Sequence, residues 1–301
     1  MELLATFILD TGPSCGDSTF TDGEIMRIMV PAALSAPYLM HQMLALAALH
    51  LSHKKPARAA FHHAEATALQ IQALTLFDEE MSTPDIQNPE AMLLFSSFLS
   101  LYVLGEAVIT SQHNAEGFLD RFVSYLNLHR GVKAITEQCW ENLLQSSLGT
   151  IFRRTTQNMD SAASQPHERA NTVEVLLSCL LSQSDLSTTS TEACHEAVRW
   201  LKLTYQIDGP ADSTEIRQTG NLVWVWPILL PGAFTELLLK RQPEALIILC
   251  YYAVLLHQRR GMWLVGNAGR LLIESTARSL GSYWSHWLEW PNEMIRDASG
   301  T

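Results

Sequence analysis

The sequence predicts an all-α protein, a single large antiparallel helical array. Apolar residues recur at helical spacing along nearly all of the 301 residues, no segment sustains the period-two alternation of a half-buried strand, and the tight-hairpin dipeptide Asn-Gly does not occur. The composition agrees. Hydrophobic residues make up 47% and charged residues only 17%, against about 25% charged in an ordinary soluble domain, so much of the chain is expected to be buried rather than disordered. A chain this long can bury about three quarters of its unfolded surface, which makes a core that needs no disulfide or metal staple. One domain is expected over residues 1–301, with an N-terminal segment (1–36), a first helical half (37–156) and a second (166–291).

After a Gly/Ser/Thr-rich opening (Thr11 to Gly23), the stretch Pro37 to His53 carries Leu39, Met40, Met43, Leu44, Ala47 and Leu51, the i, i+3, i+4 positions of one helix face, with proline in the first turn where it is tolerated. Lys54-Lys55-Pro56 breaks it. A second helix over Ala57 to Met81 repeats the rhythm in Phe61, Ala64, Ala68, Ile71, Leu74 and Phe77, and Ser82-Thr83-Pro84 ends it because the residue before proline is biased away from helix. Asn88-Pro89-Glu90 reads as a cap followed by a first-turn proline, opening a third helix from Ala91 to about Thr110. A fourth is expected over Ala115 to Ile135, bent near Gly131, and a fifth over Trp140 to Phe152. Gln157 to Pro166 reads as a loop. Helices over Glu168 to Leu181 and Thr191 to Tyr205 flank a Ser/Thr cluster, and Asp208 to Thr219 is again loop-like.

Charge and cysteine usage exclude several classes. The net charge is -11 and the basic residues are scattered, whereas binding to nucleic acid needs a basic face from which counterions are released, so no direct nucleic-acid contact is expected. Cys15, Cys139, Cys179, Cys194 and Cys250 are odd in number and far apart, which is neither a disulfide framework nor a zinc module and predicts buried thiols in a reducing compartment. The apolar stretch in Met1 to Asp10 lacks the positive leader and cleavage site of a signal peptide, and the longest apolar runs, Leu222 to Phe234 and Leu246 to Leu256, fall short of the roughly 20 residues of a membrane span. An intracellular protein, cytoplasmic or nuclear, with no membrane span is expected.

Two constellations carry residue types suited to a metal. His62, His63 and Glu65 share a helix next to one carrying His50 and His53, but no cysteine or H-E-x-x-H pattern joins them, and polar helix-helix contacts are the expected role. Phe77-Asp78-Glu79-Glu80 resembles the acidic motif of class I terpene cyclases, yet Ser82 stands where the second acid belongs. No metal and no cofactor is expected, and no Walker loop, dinucleotide-binding glycine turn or G-x-S-x-G elbow is present.

The final third is the most aromatic, with Trp224, Trp226, Phe234, Tyr251, Tyr252, Trp263, Tyr283, Trp284, Trp287 and Trp290. The segment Trp224-Val-Trp226-Pro227, the run Pro243 to His257 and the stretch Gly261-Met262-Trp263-Leu264-Val265-Gly266-Asn267-Ala268-Gly269-Arg270 together resemble the end of the C-terminal regulatory domain of fungal zinc-cluster transcription factors, and are most similar to those of the sterol uptake control type. The resemblance extends, in order, through Pro37 to Leu51, Asn127 to Val132 and Trp287 to Pro291. It implies an all-helical effector module with an apolar pocket in the C-terminal third, and by the same resemblance Met262, Trp263, Gly266, Asn267 and Gly269 are candidate ligand contacts. Trp226, Tyr251, Tyr252 and His257 join them as candidate ligand-binding residues, since an apolar pocket needs a few polar groups to orient its ligand. The six-cysteine zinc cluster and basic linker of that family have no counterpart here.

Three functions follow. The first is a stand-alone regulator without its own DNA-binding region that binds a hydrophobic small molecule, sterol-like or a secondary metabolite, and acts through a regulatory protein partner or as a homodimer. The alternative is a cofactor-independent enzyme of secondary metabolism, a cyclase, dehydratase or pericyclase of Diels-Alder type, with Tyr251, Tyr252, His257 and Asn267 as candidate catalytic residues acting by positioning and proton transfer. The third is a structural or heterodimerising partner whose aromatic third is solidly packed.

Overall fold

The computed structural model describes residues 1–15, 24–82, 88–111, 117–163, 167–208 and 222–297, and among them every regular element is helical. Two compact units interleave along the chain: the first holds Met1–Ile109 and Leu128–Thr155, the second Thr110–Asn127 and Thr156–Thr301.

In the first unit, Glu2–Thr6 (α1) passes through a single π turn, Phe7–Thr11, into Gly12–Cys15 (α2), and Glu24–Ser35 (α3) leads to Pro37–Lys54 (α4). Ala36 is extended, as the residue before proline must be, and Pro37 opens α4. Leu39, Met43, Ala45 to Leu49 and Leu51 are all buried, so α4 is the core helix of this unit. It stops at Lys54 because Lys55, placed before Pro56, leaves the helical region (φ -120°, ψ 76°), and a 3-10 turn, Pro56–Arg58, folds the chain back into Ala59–Met81 (α5), which packs along α4.

Here the sequence rhythm and the structure part company. The apolar series on α5 is its outer face: Phe61 is 55%, Ile71 60% and Leu74 43% exposed, with Ala64 and Ala68 exposed between them. The face turned inward carries His62, Ala66, Gln70 and Ala73. The small side chains Ala66 and Ala73 permit close approach to α4, and the aromatic trio Tyr38, Phe77 and Phe95 fixes the far end, Phe77 stacking on Phe95 at 4.2 Å with Tyr38 edge-on to both. His63 reaches Glu106 at 2.9 Å and His62 lies 3.4 Å from Glu65. Among the described residues no three His, Cys, Asp or Glu side chains gather into a metal set.

Pro89–Ser111 (α6) begins as the Asn88-Pro89 pair predicts: the Ala91 amide donates to Asn88 Oδ1 at 3.0 Å. Phe7 packs edge-on against Phe98 of α6. By length and composition α6 is the one helix among the described residues that could cross a membrane unaided, although 61% of its most apolar window is buried within the protein. Phe118–Gln138 (α7) runs on through Gly131. The fifth predicted helix is two, Trp140–Gln145 (α8) and Gly149–Ala163 (α9), separated by a turn in which the Leu148 amide donates to Ser146 Oγ. Residues 157–163, expected as loop, continue α9, because the stretch is polar but contains no glycine, and no proline before Pro166. The expected breaks at Pro84 and after Asp208 lie outside the described residues.

The second unit contains Glu168–Ser182 (α10), Thr188–Asp208 (α11), Leu222–Leu229 (α12), Gly232–Leu239 (α13), Pro243–Gln258 (α14), Ala268–Leu280 (α15), a 3-10 stretch Ser282–Leu288, and Glu289–Asp297 (α16). The apolar run from Leu222 becomes α12 and α13, bent by 89° at the break before Pro231. Helix α14 is enclosed by α10, α11, α12, α13, α15 and α16. Of the five thiols, Cys139, Cys194 and Cys250 are buried as expected, Cys15 is half-buried, and Cys179 is exposed, in the last turn of α10.

Asn88→Ala removes the side-chain acceptor for the first turn of α6 and is expected to cost about 1 kcal/mol, read as a lowered urea midpoint with unchanged slope.

Candidate functional site

Helix α14 supplies the wall on which the predicted site residues sit. Every side chain from Glu244 to His257 is buried, so the helix is lined all round by protein and successive side chains, about 100° apart, leave toward different neighbours. Tyr252 stacks on Trp226 with ring centroids 4.3 Å apart and planes at 18°, and its hydroxyl donates to the Val223 carbonyl at 2.8 Å. The Trp226 indole donates to the Ala197 carbonyl at 3.1 Å and meets Phe234 edge-on, while Phe122 lies against Tyr252. Tyr251 leaves the other way: it stacks on Trp290 at 5.1 Å and 8°, its hydroxyl donates to the Trp287 carbonyl at 3.3 Å, and its own carbonyl accepts from Tyr205 Oη at 2.6 Å.

Both hydroxyls are therefore engaged by backbone oxygens on different elements and do not converge. Burial raises the pKa of Tyr205 and Tyr251 above the usual phenol range and pushes the Cys250 thiol up to about 12, so these groups stay protonated. Trp290, Tyr205 and Val223 complete this arrangement. Nothing local in the sequence ties them to Tyr251 or Tyr252, because each partner lies on another helix.

His257 differs from these tyrosines. It is 2% exposed, and the Ile295 backbone is the one hydrogen-bonding group that reaches its two ring nitrogens among the described residues. Burial first, then the charges of Arg260 and Arg270, hold its pKa below 6.5, with the Ile295 backbone acting the other way. The chain then passes through successive turns, Met262 amide to Arg259 carbonyl at 2.9 Å and Gly266 amide to Met262 carbonyl at 2.9 Å, with Gly266 at φ +44°. Trp263 is buried, Met262 and Gly266 are half-buried, and Asn267, at the N-terminus of α15, is exposed and makes no capping hydrogen bond through its side chain.

Gly269 has a separate role. A Cβ there would strike the Ala253 carbonyl oxygen and lie 2.6 Å from the His257 amide nitrogen, so the close crossing of α15 over α14 requires glycine at this point. The structure thus places Trp226, Tyr251, Tyr252 and Gly269 in helix packing. His257, Met262, Trp263 and Gly266 lie where the α14 end meets the turn segment, and Asn267 lies at the surface.

The family model of the fungal specific transcription factor domain matches residues 12–192, more than half of the chain. The chain belongs to that family. Neither a curated protein nor a solved structure matches it. Membership carries a regulatory role for this fungal transcription factor domain, and the matched stretch ends within α11, so α14 and the segment after it lie beyond it.

Gly269→Ala is expected to force α14 and α15 apart at a cost of about 1–3 kcal/mol, whereas Gly261→Ala, which meets nothing within 4 Å, is expected to leave the melting temperature nearly unchanged. His257→Leu is expected to match or exceed the wild-type stability at pH 7. Its advantage should grow toward pH 5, because the unfolded histidine gains a proton near 6.5 while the folded one resists it, and wild-type stability falls with pH through that window. Urea melts of both proteins at each pH measure the difference.

Proposed function

We propose that this fungal transcription factor domain is a regulatory module that binds an apolar small molecule, sterol-like or a secondary metabolite, at the end of α14, and passes its occupancy to a protein partner. The observation that carries the proposal is His257: a buried polar ring with no more than the Ile295 backbone as partner for its two nitrogens, beside a turn segment whose Met262 and Gly266 reach the surface. A ligand with an apolar body and one hydroxyl or carbonyl would satisfy that ring and cover Trp263 and Met262. The segment 261–267 is the part that would have to move, and binding regulates only if the ligand prefers the moved state. The net charge of -11 supports action through protein contacts rather than through DNA phosphates. A catalytic reading gains nothing from the geometry, since the hydroxyls of Tyr251 and Tyr252 are held by backbone carbonyls and Asn267 stands at the surface.

The test is melting of the purified chain with ergosterol, cholesterol and a long-chain fatty acid, together with tryptophan fluorescence. A true ligand at a hundred times its Kd should stabilise by about 2.7 kcal/mol, and Trp263→Ala and His257→Leu should each weaken that response. A panel that shifts neither melting nor fluorescence, or a shift that both variants retain in full, would overturn the proposal.

A further inference from the structure

The outer face of α5 is the largest feature that the site leaves unused. Phe61, Ala64, Ala68, Ile71 and Leu74 form an exposed apolar stripe about 20 Å long on the 23-residue α5, at three- and four-residue intervals that keep them on one face. Scattered exposed apolar side chains need no explanation, but a contiguous stripe marks an interaction surface. The inner face deepens the point. It buries His62 and Gln70, and both amide atoms of Gln70 are without a hydrogen bond, so the helix keeps its more apolar side in water while hiding an unsatisfied amide.

The charges at the two ends of α5 select the occupant. Arg58 sits at the N-terminal cap, and Asp78, Glu79 and Glu80 fill the last turn. Both placements oppose the helix dipole, which favours acids at the N-terminus and bases at the C-terminus. A second α5 running antiparallel corrects both at once, setting the basic end of each helix against the acidic end of the other. With the two-fold axis between Thr67 and Ala68, Phe61 faces Leu74, Ala64 faces Ile71 so that large meets small, and Arg58 comes within a turn of Asp78 and Glu79. Lys54 and Lys55 already hold Asp10 at 2.9 Å and Glu2 at 3.2 Å, and Arg58 lies over the Phe61 ring at 4.8 Å, at the edge of the stripe.

We propose that this stripe docks the same stripe of a second copy of the chain, as an antiparallel two-fold homodimer. The surface is self-complementary, as such a closed interface demands. Sedimentation equilibrium of the full chain across the micromolar range should show a monomer-dimer equilibrium. Ile71→Glu, at an exposed position, should yield monomers with unchanged circular dichroism, and with unchanged melting when both proteins are diluted below the dimer Kd. Arg58→Glu alone, and Asp78→Lys with Glu79→Lys alone, should each raise the dimer dissociation constant several-fold, and mixing those two charge variants should restore tight association as a heterodimer. A wild-type chain that stays monomeric while the stripe captures some other protein would overturn the proposal. So would a dimer indifferent to Ile71→Glu, and charge variants whose mixture associates no better than either alone would overturn the antiparallel pairing.

Discussion

The burial of α14 governs the second unit. From Glu244 to His257 every side chain is buried, so the polar groups on that length of helix depend on protein partners. The helix meets most of this demand by giving its polar groups different partners, with His257 the least well satisfied. Glu244 accepts from Gln242 at 2.8 Å in the first turn, where the helix dipole also favours an acid. Tyr251 and Tyr252 reach carbonyls on the 3-10 stretch and on α12, and each lies flat against a tryptophan. These contacts set where α12, α16 and the 3-10 stretch lie, and Gly269 sets how closely α15 approaches.

The first unit has its own enclosed helix, α4, but treats its polar groups differently. Gln42 is fully buried and neither amide atom makes a hydrogen bond, the Tyr38 hydroxyl is also unpartnered, and Gln70 on the adjacent α5 repeats the pattern. Each such group costs about 1–3 kcal/mol relative to a satisfied one. The seam between α4 and α5 is thus held by close packing of alanines and by the Tyr38, Phe77 and Phe95 rings in spite of its amides. Ion pairs around it, such as Lys54 with Asp10, are exposed and add little.

Helix existence was legible in the sequence because caps and proline positions are local: Asn88-Pro89 opens α6 and Lys55-Pro56 closes α4. Where reading by composition failed, the competing influence can be named. Residues 157–163 are polar without a breaker and stay helical in α9. The face of α5 could not be read from hydrophobic rhythm because a helix turns inward whichever side fits its neighbour, and small Ala66 and Ala73 fit α4 better than Phe61 or Ile71 would. The ordered blocks from Pro37 onward pointed to the fungal transcription factor family, and the match over residues 12–192 bears out that coarser reading. The partners of the aromatic residues were not legible. Trp290 lies 39 positions after Tyr251, and only the folded chain brings the two rings together.

His257 and Gly269 act on the same turn of α14, and that coincidence constrains how any ligand could work. The backbone of α15 presses on Ala253 and His257 so tightly that not even a methyl group fits, which closes that side to a bound molecule. Ile295 lies against the imidazole from α16. The turn segment 261–267 remains as the accessible flank, and it is held by short-range turn hydrogen bonds rather than by a long helix. A ligand of the kind proposed, giving the imidazole a hydrogen bond, would recover about 1–3 kcal/mol. That corresponds to a shift of about one to two powers of ten in an equilibrium between two arrangements of the segment, the range in which regulatory coupling operates.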